Sequence, residues 1–196
     1  MSKTYRLIPL VDLDREAQLQ ILKIRNEEHI RQWMFTGNEI NIDDHFAWIE
    51  QLKTDKSQVC LTIINDSTQP VGAVNIKKID KNNENAELGF YKSQSTNEKG
   101  LMTKTLCAAI DYSYNVFGLM KIYSEVFEGN QKSINIHKKL LFIEEGFLRS
   151  HIIKDEIRIG VHLFGLLKNE WQMGRDKISF RNDIIIIPPH FIFSKN

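Results

Sequence analysis

The stretch NQKSINIHKKLLFIEEGFLR, at residues 130–149, is the most informative part of this chain. It follows an alternating run, Lys121–Phe127, which predicts a strand, and a turn that ends at Gly129. Asn130 then has the side chain of a helix N-cap and predicts that a helix begins directly after the turn.

A second helix is predicted upstream, over residues 103–117, and it begins just after Gly100. A helix start beside a glycine leaves backbone N–H groups free to bind a phosphate. The order strand, glycine turn, helix, strand, asparagine-led helix therefore predicts a phosphate-bearing ligand at this helix start.

Length and composition indicate one ordinary globular domain. The chain has 196 residues, of which 42% are hydrophobic and 26% are charged. Its formal net charge is +1, from 26 basic and 25 acidic residues. A protein that follows a nucleic-acid backbone needs a strong basic excess, so we expect no nucleic-acid partner.

The two cysteines, Cys60 and Cys107, fall inside predicted elements, which favours buried free thiols over a disulfide or a metal site. No zinc-ligand spacing is present, so no metal is expected. The first residues contain no apolar signal segment, and no run reaches the ~18 apolar residues of a membrane span. We therefore expect a cytoplasmic protein without a membrane partner.

Periodicity predicts the remaining elements. Strands are predicted at residues 5–9, 59–65, 71–79, 86–92 and 157–166, the last paired with an arm that starts near Gly146. Helices are predicted at residues 15–28, capped by Asp12 or Asp14, and at 43–53, started by Asn41 or Asp43.

The end of the chain changes character. Residues 184–187 are four isoleucines, followed by Pro188, Pro189 and an aromatic run at 191–193. One interpretation is a strand that docks on the sheet or on a second subunit, and the other is a poorly ordered, aggregation-prone terminus. We therefore divide the chain into a domain at 1–171 and a tail of unknown role at 172–196.

Two motifs resemble the GNAT superfamily of acetyltransferases, over about residues 5–171. The family signature [QR]-x-x-G-x-[GA] is matched by residues 97–102, with Asn97 at the Gln/Arg position and Met102 at the small one. Met102 can still supply its N–H if its side chain turns away. A second family pattern begins with N-x-x-S and continues through G-F to E-G and R. The residues that match it are Asn130, Ser133, Phe142, Glu145, Gly146 and Arg149. Leu141 stands at its first glycine position.

A third set of residues is similar to one branch of that family. Arg25-Asn26, Arg31-x-Trp33-Met34 and His45-x-x-Trp48 resemble the N-acetyltransferase of pseudaminic acid biosynthesis, as does the strand around Gly89. That enzyme acetylates the 4-amino group of a UDP-linked 4-amino-4,6-dideoxy sugar. The resemblance implies an α/β GNAT fold, with a mixed, mostly antiparallel sheet flanked by helices.

The resemblance also implies the donor site and the catalytic groups. Acetyl-CoA is expected between strands 86–92 and 121–127, bound by Phe90, Tyr91, Asn97, Lys99, Gly100, Leu101, Met102, Thr103, Asn130 and Ser133. Glu87 is the candidate general base, acting through water, against a paired strand carboxylate as the alternative. Tyr91 is a second candidate beside Glu87, against a core aromatic with a satisfied hydroxyl as the alternative. His137 would protonate the CoA sulfur, against a structural or solvated histidine as the alternative.

The acceptor is expected on the N-terminal side, at Arg25, Asn26, Arg31, Trp33, Met34 and His45. Trp33 could stack on a base, and Arg25 or Arg31 could bind a diphosphate, unless these residues only pack a helix pair. The sequence thus predicts acetyl transfer to a nucleotide-linked amino sugar by a possible homodimer. The alternatives are a protein N-terminal acetyltransferase of the ribosomal-protein type, or a non-catalytic CoA-binding protein of this fold, which Met102 and Leu141 motivate.

Overall fold

The computed structural model describes residues 4–178 and 184–186. Its elements follow in the order β1 (Tyr5–Pro9), a 3-10 turn (Leu10–Asp12), α1 (Arg15–Arg25), α2 (Glu28–Arg31), α3 (Ile42–Leu52), β2 (Val59–Ile64), β3 (Pro70–Asp80), β4 (Asn85–Lys92), α4 (Leu101–Val116), β5 (Lys121–Phe127), α5 (Gln131–Lys139), β6 (Ile143–Lys154), β7 (Ile157–Leu167), α6 (Lys168–Gly174), a second 3-10 turn (Arg175–Lys177) and β8 (Ile184–Ile186).

Local capping chemistry sets the helix starts. The Ala17 N–H donates to Asp14 Oδ1 at 2.8 Å, and the Asp44 N–H donates to Asn41 Oδ1 at 2.8 Å. Asp14 and Asn41 are thus the N-caps, which decides between the alternatives that the sequence leaves open. Asn130 caps α5 as predicted, because its Oδ1 accepts from the Ser133 N–H at 3.1 Å.

The strands form one mixed, mostly antiparallel sheet in the order β6-β7-β5-β4-β3-β2-β1-β8. Only the β4–β5 and β1–β8 pairs are parallel among the described strands. At one edge, the β6–β7 register shifts twice, between Glu144 and Gly146 and between Leu148 and Ile152. The predicted sheet type is therefore confirmed.

Helices cover both faces of this sheet. Strand side chains alternate between the faces, so that Ala86 and Leu88 pack in a cluster with α4, whereas Tyr91 packs in a second cluster with α1, α2 and α3. The alternation places Glu87 on the same side of β4 as Tyr91. Among the described residues, no helix combines the length and the apolar character that crossing a membrane would require.

The central parallel strands separate after a short contact. β4 pairs with β5 only from Asn85 opposite Lys121 to Glu87 opposite Tyr123. Just beyond, the Ser124 hydroxyl donates to the Leu88 carbonyl oxygen at 2.8 Å. The rest of β4 remains paired with β3 on its other side, so the carboxyl halves of β4 and β5 open a gap in the middle of the sheet.

The end of the chain joins the same sheet. β8 pairs in parallel with β1, with Tyr5 opposite Ile184 and Leu7 opposite Ile186. The boundary predicted at residue 171 falls inside α6, because the buried Trp171 anchors that helix to the core. The structure thus supports the docked-strand interpretation for residues 184–186, and the predicted features at 187–193 lie outside the described residues.

Both cysteines are free and buried. Burial raises the pKa of the Cys60 thiol to about 12 and that of Cys107 to about 11. Neither thiol is therefore a thiolate at physiological pH, which makes both poor nucleophiles.

Gly72 of β3 is expected to be intolerant of any side chain. A Cβ there would overlap the Tyr91 carbonyl oxygen and lie 2.8 Å from the Lys92 Cα, opposite Gly72 on β4. Because these are backbone atoms, Gly72→Ala should lower the free energy of unfolding by about 2–3 kcal/mol, as overpacking does. Urea denaturation followed by circular dichroism measures the loss.

The matched control is Gly89→Ala on the neighbouring strand. Its added Cβ would have Lys77 Cε at 3.9 Å as its nearest neighbour, which is an ordinary contact. We expect a change below about 1 kcal/mol. Equal losses in the two variants would contradict the close β3–β4 approach at Gly72.

Candidate active site

Two adjoining cavities lie at the carboxyl end of β4. The first, here named the splay cavity, has a volume of about 410 Å³ and lies between the end of β4 and the start of α5. It is lined by His29, Ile30, Trp33, Met34, Phe90, Tyr91, Lys92, Gln94, Asn97, Met102, Asn130, Lys132, Ser133 and Ile136.

The second, here named the α3 cavity, has a volume of about 380 Å³. It is lined by Arg25, Met34, Phe35, Thr36, Ile40, Asp44, His45, Trp48, Gln58, Val59, Asn75, Ile76, Lys77, Gly89, Phe90 and Tyr91. Both volumes lie in the lower part of the range of ligand sites, about 300–1,000 Å³. Met34, Phe90 and Tyr91 line both cavities, so a group bound in one can meet a group bound in the other.

The predicted phosphate turn forms one end of the splay cavity. Gly100 has a φ of 78°, in the left-handed region that favours glycine, and α4 begins after it without a side-chain cap. Asn97 and Met102 line the cavity here. The Met102 side chain packs on the apolar cluster beside α4, and its turning away from a bound phosphate stays a prediction. The other predicted residues of this turn line neither cavity: Lys99, Gly100, Leu101 and Thr103.

Two lysines that were not predicted give this cavity a positive charge. Lys92 ends β4, and Lys132 lies in the first turn of α5. The Lys92 ammonium donates to the Thr96 carbonyl oxygen at 2.6 Å, and burial, with the nearby charge of Lys132, lowers its pKa. Two like charges at one opening would be stabilised by an anion, so the cavity suits a ligand with phosphate groups. The position of Lys132 two residues after the Asn130 cap was the available sequence signal.

His137 lies in an aromatic box formed by Phe90, Phe142 and Phe164. Its ring stacks on Phe164 with 5.2 Å between centroids and 14° between planes. Nδ1 lies 2.8 Å from the Ser133 carbonyl oxygen, which can only accept, so Nδ1 carries the proton. Nε2 has no hydrogen-bond partner among the described residues.

This burial bears on the predicted role of His137 as an acid. The side chain is 2% exposed and lines neither cavity, and burial lowers its pKa from 6.5 to about 4. The imidazole is therefore neutral near pH 7. Protonation of the CoA sulfur by His137 stays a prediction, and the geometry supports a packing role beside Phe90.

The buried His137 should make stability depend on pH. Since its pKa is about 4 in the folded chain, against an ordinary value of 6.5 for an exposed histidine, the unfolded chain takes up a proton first as the pH falls. The stability is fully present above pH 6.5 and is lost between pH 6.5 and 4, by about 3 kcal/mol at about 1.4 kcal/mol per pKa unit. Urea denaturation across that range should show a smaller loss in His137→Phe than in the wild type.

The control for this experiment is His151→Phe, which replaces an exposed histidine of β6. His45, whose pKa burial also lowers, is present in all three proteins and contributes equally. A pH dependence in His137→Phe as steep as that of the wild type would show that His137 does not remain neutral on folding.

Glu87, the predicted base, is held by two lysines. The carboxylate is 4% exposed and lies 2.6 Å from Lys77 Nζ and 2.8 Å from Lys78 Nζ. Both lysines reach it because Lys78 has a φ of 53° beside a register shift in β3, a bulge that lets adjacent residues face one cross-strand partner. Glu87 lines neither cavity, so its role as a base stays a prediction.

Tyr91 is the predicted catalytic residue that lies at the junction of the two cavities. Burial, and then the neighbouring Cys60, raises the pKa of its phenol well above the usual range. The phenol therefore keeps its proton at physiological pH and can donate a hydrogen bond to a leaving group. Its place on β4 beside Phe90 puts it at the point where the strands separate.

The α3 cavity contains an unpaired cationic atom. Arg25 Nη2 donates to the Thr36 carbonyl oxygen at 3.3 Å, but the buried Nη1 has no hydrogen-bond partner among the described residues. Burial, with the nearby charge of Arg31, lowers the pKa of this guanidinium. Lys77 adds a second cation to the lining, and Asp44 is its one carboxylate. An acceptor group with negative charge would satisfy Nη1.

Some of the other predicted acceptor residues line a cavity, and the rest form hydrogen bonds to the backbone near α2 and α3. His45 lines the α3 cavity, with its Nε2 fixed 2.9 Å from the Gln18 carbonyl oxygen, whereas Trp33 lines the splay cavity instead. Asn26 exchanges two hydrogen bonds with the Ile40 backbone, at 2.8 and 3.0 Å. Arg31 donates to the Asn26 carbonyl oxygen at 3.0 Å, so Asn26 and Arg31 hold the segment between α2 and α3.

A third cavity, of about 590 Å³, lies on the far side of Asn97 from the splay cavity. It is lined mainly by polar groups and does not reach Phe90 or Tyr91. Within residues 4–178 and 184–186, no three His, Cys, Asp or Glu side chains group as metal ligands. The splay and α3 cavities are therefore the candidate active site.

Fold and site together define a class of protein. Parallel central strands that separate beside a glycine-led helix start, with lysines at the opening, are the features of an acyl-CoA-dependent transferase. A family model described as an acetyltransferase (GNAT) domain matches residues 5–143. The chain belongs to the GNAT family: it is an N-acetyltransferase with this fold, and its acetyl donor is acetyl-CoA.

Named relatives are acetyltransferases with different acceptors. The putative ribosomal N-acetyltransferase YdaF of Bacillus subtilis is 24% identical over 86% of this chain and 93% of its own length. A spermidine N(1)-acetyltransferase of Vibrio cholerae is 30% identical over 69% of this chain and 79% of its own. A crystal structure of the Vibrio cholerae spermidine enzyme with CoA and spermine has a TM-score of 0.78, at 20% identity over 87% of this chain and 98% of that one.

Proposed function

We propose that the protein transfers the acetyl group of acetyl-CoA to a primary amine on a small acceptor that carries negative charge. The acceptor of choice is a nucleotide-linked amino-deoxy sugar, a UDP-4-amino-4,6-dideoxy sugar of the pseudaminic acid type. The observation that carries this proposal is Arg25, a residue in the wall of the α3 cavity whose buried Nη1 finds no hydrogen-bond partner within residues 4–178 and 184–186. A diphosphate or another anionic group would complete its hydrogen bonds.

The charge balance around the α3 cavity disfavours a polycation. Arg25 and Lys77 line it, and Lys77 shares the single Glu87 carboxylate with Lys78. Asp44 is the one carboxylate in the lining. A polyamine with several ammonium groups would meet like charges here, which weakens binding and slows approach.

The two cavities divide the work of the reaction. Lys92 and Lys132 bind phosphate groups of the donor, and the Phe90–Tyr91 segment of β4 positions the thioester at the junction. The acceptor amine enters through the α3 cavity and attacks directly, since neither cysteine lines either cavity. Tyr91 then gives a proton to the leaving sulfur, and the amine proton passes to Glu87 through water, because the Glu87 carboxylate itself lines neither cavity.

Two other acceptors follow from the relatives. YdaF is named a putative ribosomal N-acetyltransferase, and other relatives are named spermidine acetyltransferases. For the spermidine alternative, Asp44 supplies a carboxylate in the α3 cavity. For a peptide α-amine, the partly apolar wall with Phe35 and Trp48 could hold a first side chain.

Mass spectrometry of competing acceptors tests the proposal. The protein is mixed with acetyl-CoA, the UDP-linked amino sugar, spermidine and an N-terminal ribosomal-type peptide. A single acetyl group on the sugar is the expected product. Acetylation of only spermidine or only the peptide would replace the proposal with that alternative, and light scattering on the same sample tests the proposed homodimer.

A further inference from the structure

A lysine from the C-terminal hairpin ties down the segment between α2 and α3. Lys154 is the last residue of β6, and its ammonium donates to the carbonyl oxygens of Arg31 at 2.8 Å, Gln32 at 2.8 Å and Met34 at 3.0 Å. An ammonium has three N–H donors, and all three are used here. These carbonyl groups lie at the end of α2, where helical partners run out.

The tied segment, residues 31–37, forms part of the wall of both cavities. Met34 lines both, and Phe35 and Thr36 line the α3 cavity. Phe35 is 51% exposed, and its ring meets the edge of Phe127 with 4.8 Å between centroids. Few apolar contacts thus hold the outer face of this wall, which leaves its position to polar contacts.

Lys154 holds the segment from the side opposite to the helices. Arg25 and Arg31 reach its carbonyl oxygens at Thr36 and Gly37, at 3.3 and 3.4 Å. All are made by charged donors, but the arginine contacts are long, whereas those of Lys154 are short. Gly37 permits the approach, since a Cβ there would lie 3.1 Å from Lys154 Cε and Nζ.

We infer that Lys154 is a positioning residue that fixes segment 31–37 as the wall of the α3 cavity and thereby sets the affinity for the acceptor; the second part rests on the proposed function. The contacts of Lys154 are all to backbone oxygens of this wall, and Lys154 itself lines neither cavity. The donor is held mainly by β4, α4 and α5, so its affinity depends less on the segment.

Hydrogen exchange with mass spectrometry tests the first part without any acceptor. Lys154→Met should increase amide exchange in peptides that cover residues 31–40 and leave peptides from α4 and β5 unchanged. Lys154→Arg keeps a charged donor and should exchange more nearly like the wild type. Arg149→Met, which removes an exposed cation from the same strand, is the control and should change nothing.

Steady-state kinetics test the second part. Lys154→Met should raise KM for the acceptor about tenfold, with kcat within about threefold and the acetyl-CoA Kd within about twofold. Gly37→Ala should act in the same direction but more weakly, because its Cβ would lie 3.1 Å from Lys154 Cε and Nζ and would push this flexible end slightly away from the carbonyl oxygens. If Lys154→Met does not fold, Gly37→Ala still allows the acceptor KM and the amide exchange to be measured with a weakened Lys154 contact.

The outcomes separate the two ideas. If amide exchange at residues 31–40 is unchanged in both Lys154→Met and Gly37→Ala, the positioning role is overturned, whatever the acceptor. Increased exchange with an unchanged acceptor KM overturns the link to affinity. A wild-type protein that acetylates none of the offered acceptors, while Lys154→Met still shows increased exchange, would overturn the proposed function and leave the positioning role standing.

Discussion

Replacing Tyr91 with phenylalanine is expected to lower kcat for acetyl transfer by about 10²- to 10³-fold, the range for loss of a positioned acid. The change removes only the hydroxyl of a residue that lines both cavities, and burial keeps that hydroxyl protonated by raising its pKa. The aromatic wall is kept, so the Kd for acetyl-CoA should stay within about twofold. Release of CoA, followed with a thiol reagent, measures kcat, and calorimetry measures the Kd.

Tyr112→Phe is the matched control for this variant. Tyr112 lies on α4 and is 7% exposed, against 8% for Tyr91, and its buried hydroxyl has no hydrogen-bond partner among the described residues. It lines neither cavity, so kcat should not change. If Tyr91→Phe kept wild-type turnover, Tyr91 would not be the acid. Comparison with Glu87→Gln and His137→Ala would then show which of the other predicted residues takes part.

Arg25→Met should lower kcat/KM for an anionic acceptor by about 100-fold. Loss of one partner of a buried charge pair costs about 2–5 kcal/mol, and Arg25, which lines the α3 cavity, has a donor atom that no described residue pairs. The unbranched Met side chain keeps much of the volume, so packing against α3 is largely retained. The measurement compares the UDP-linked amino sugar with the same amino sugar lacking the nucleotide, and the loss should fall mainly on the charged acceptor.

Lys23→Met is the control for Arg25→Met. It removes one positive charge from the same helix at an exposed position outside both cavities. It should leave kcat/KM unchanged within about twofold. An equal loss for charged and uncharged acceptors in Arg25→Met would show that Arg25 only supports the wall, and it would remove the main support for an anion-bearing acceptor.

The elements that the sequence predicts well depend on local signals. The strand at Lys121–Phe127 is observed with the predicted bounds, because its alternation ends at a turn. The Asn130 cap is likewise a contact between neighbours in sequence. The helix predicted at 15–28 instead ends at Arg25, since Asn26 bonds to the Ile40 backbone fourteen residues away. A contact at that separation leaves no trace in helical periodicity.

The site was predictable in outline for the same reason. Alternation puts Glu87 and Tyr91 on one face of β4. The two residues are four positions apart, however, so they are separated by about 13 Å along the strand, at about 3.3 Å per residue. Only the later residue reaches the gap, which opens after Glu87. The pairing of Glu87 with both Lys77 and Lys78 depends on a bulge, and the Lys154 contacts join residues more than a hundred positions apart. Neither the Glu87 pairing nor the Lys154 contacts leave a pattern among neighbouring residues in the sequence.

The short β8 strand determines how this sheet ends. On that side the last strand that the structure describes has three residues, and on the other side β6 is broken by two register shifts. Short or irregular edges resist pairing with another chain, whereas a regular edge invites it. A chain cut at residue 171 would leave the main chain of Tyr5–Leu7 open along β1, the start of a regular strand. The isoleucines at 184–186 thus cover main-chain groups of β1 to which another chain could otherwise pair.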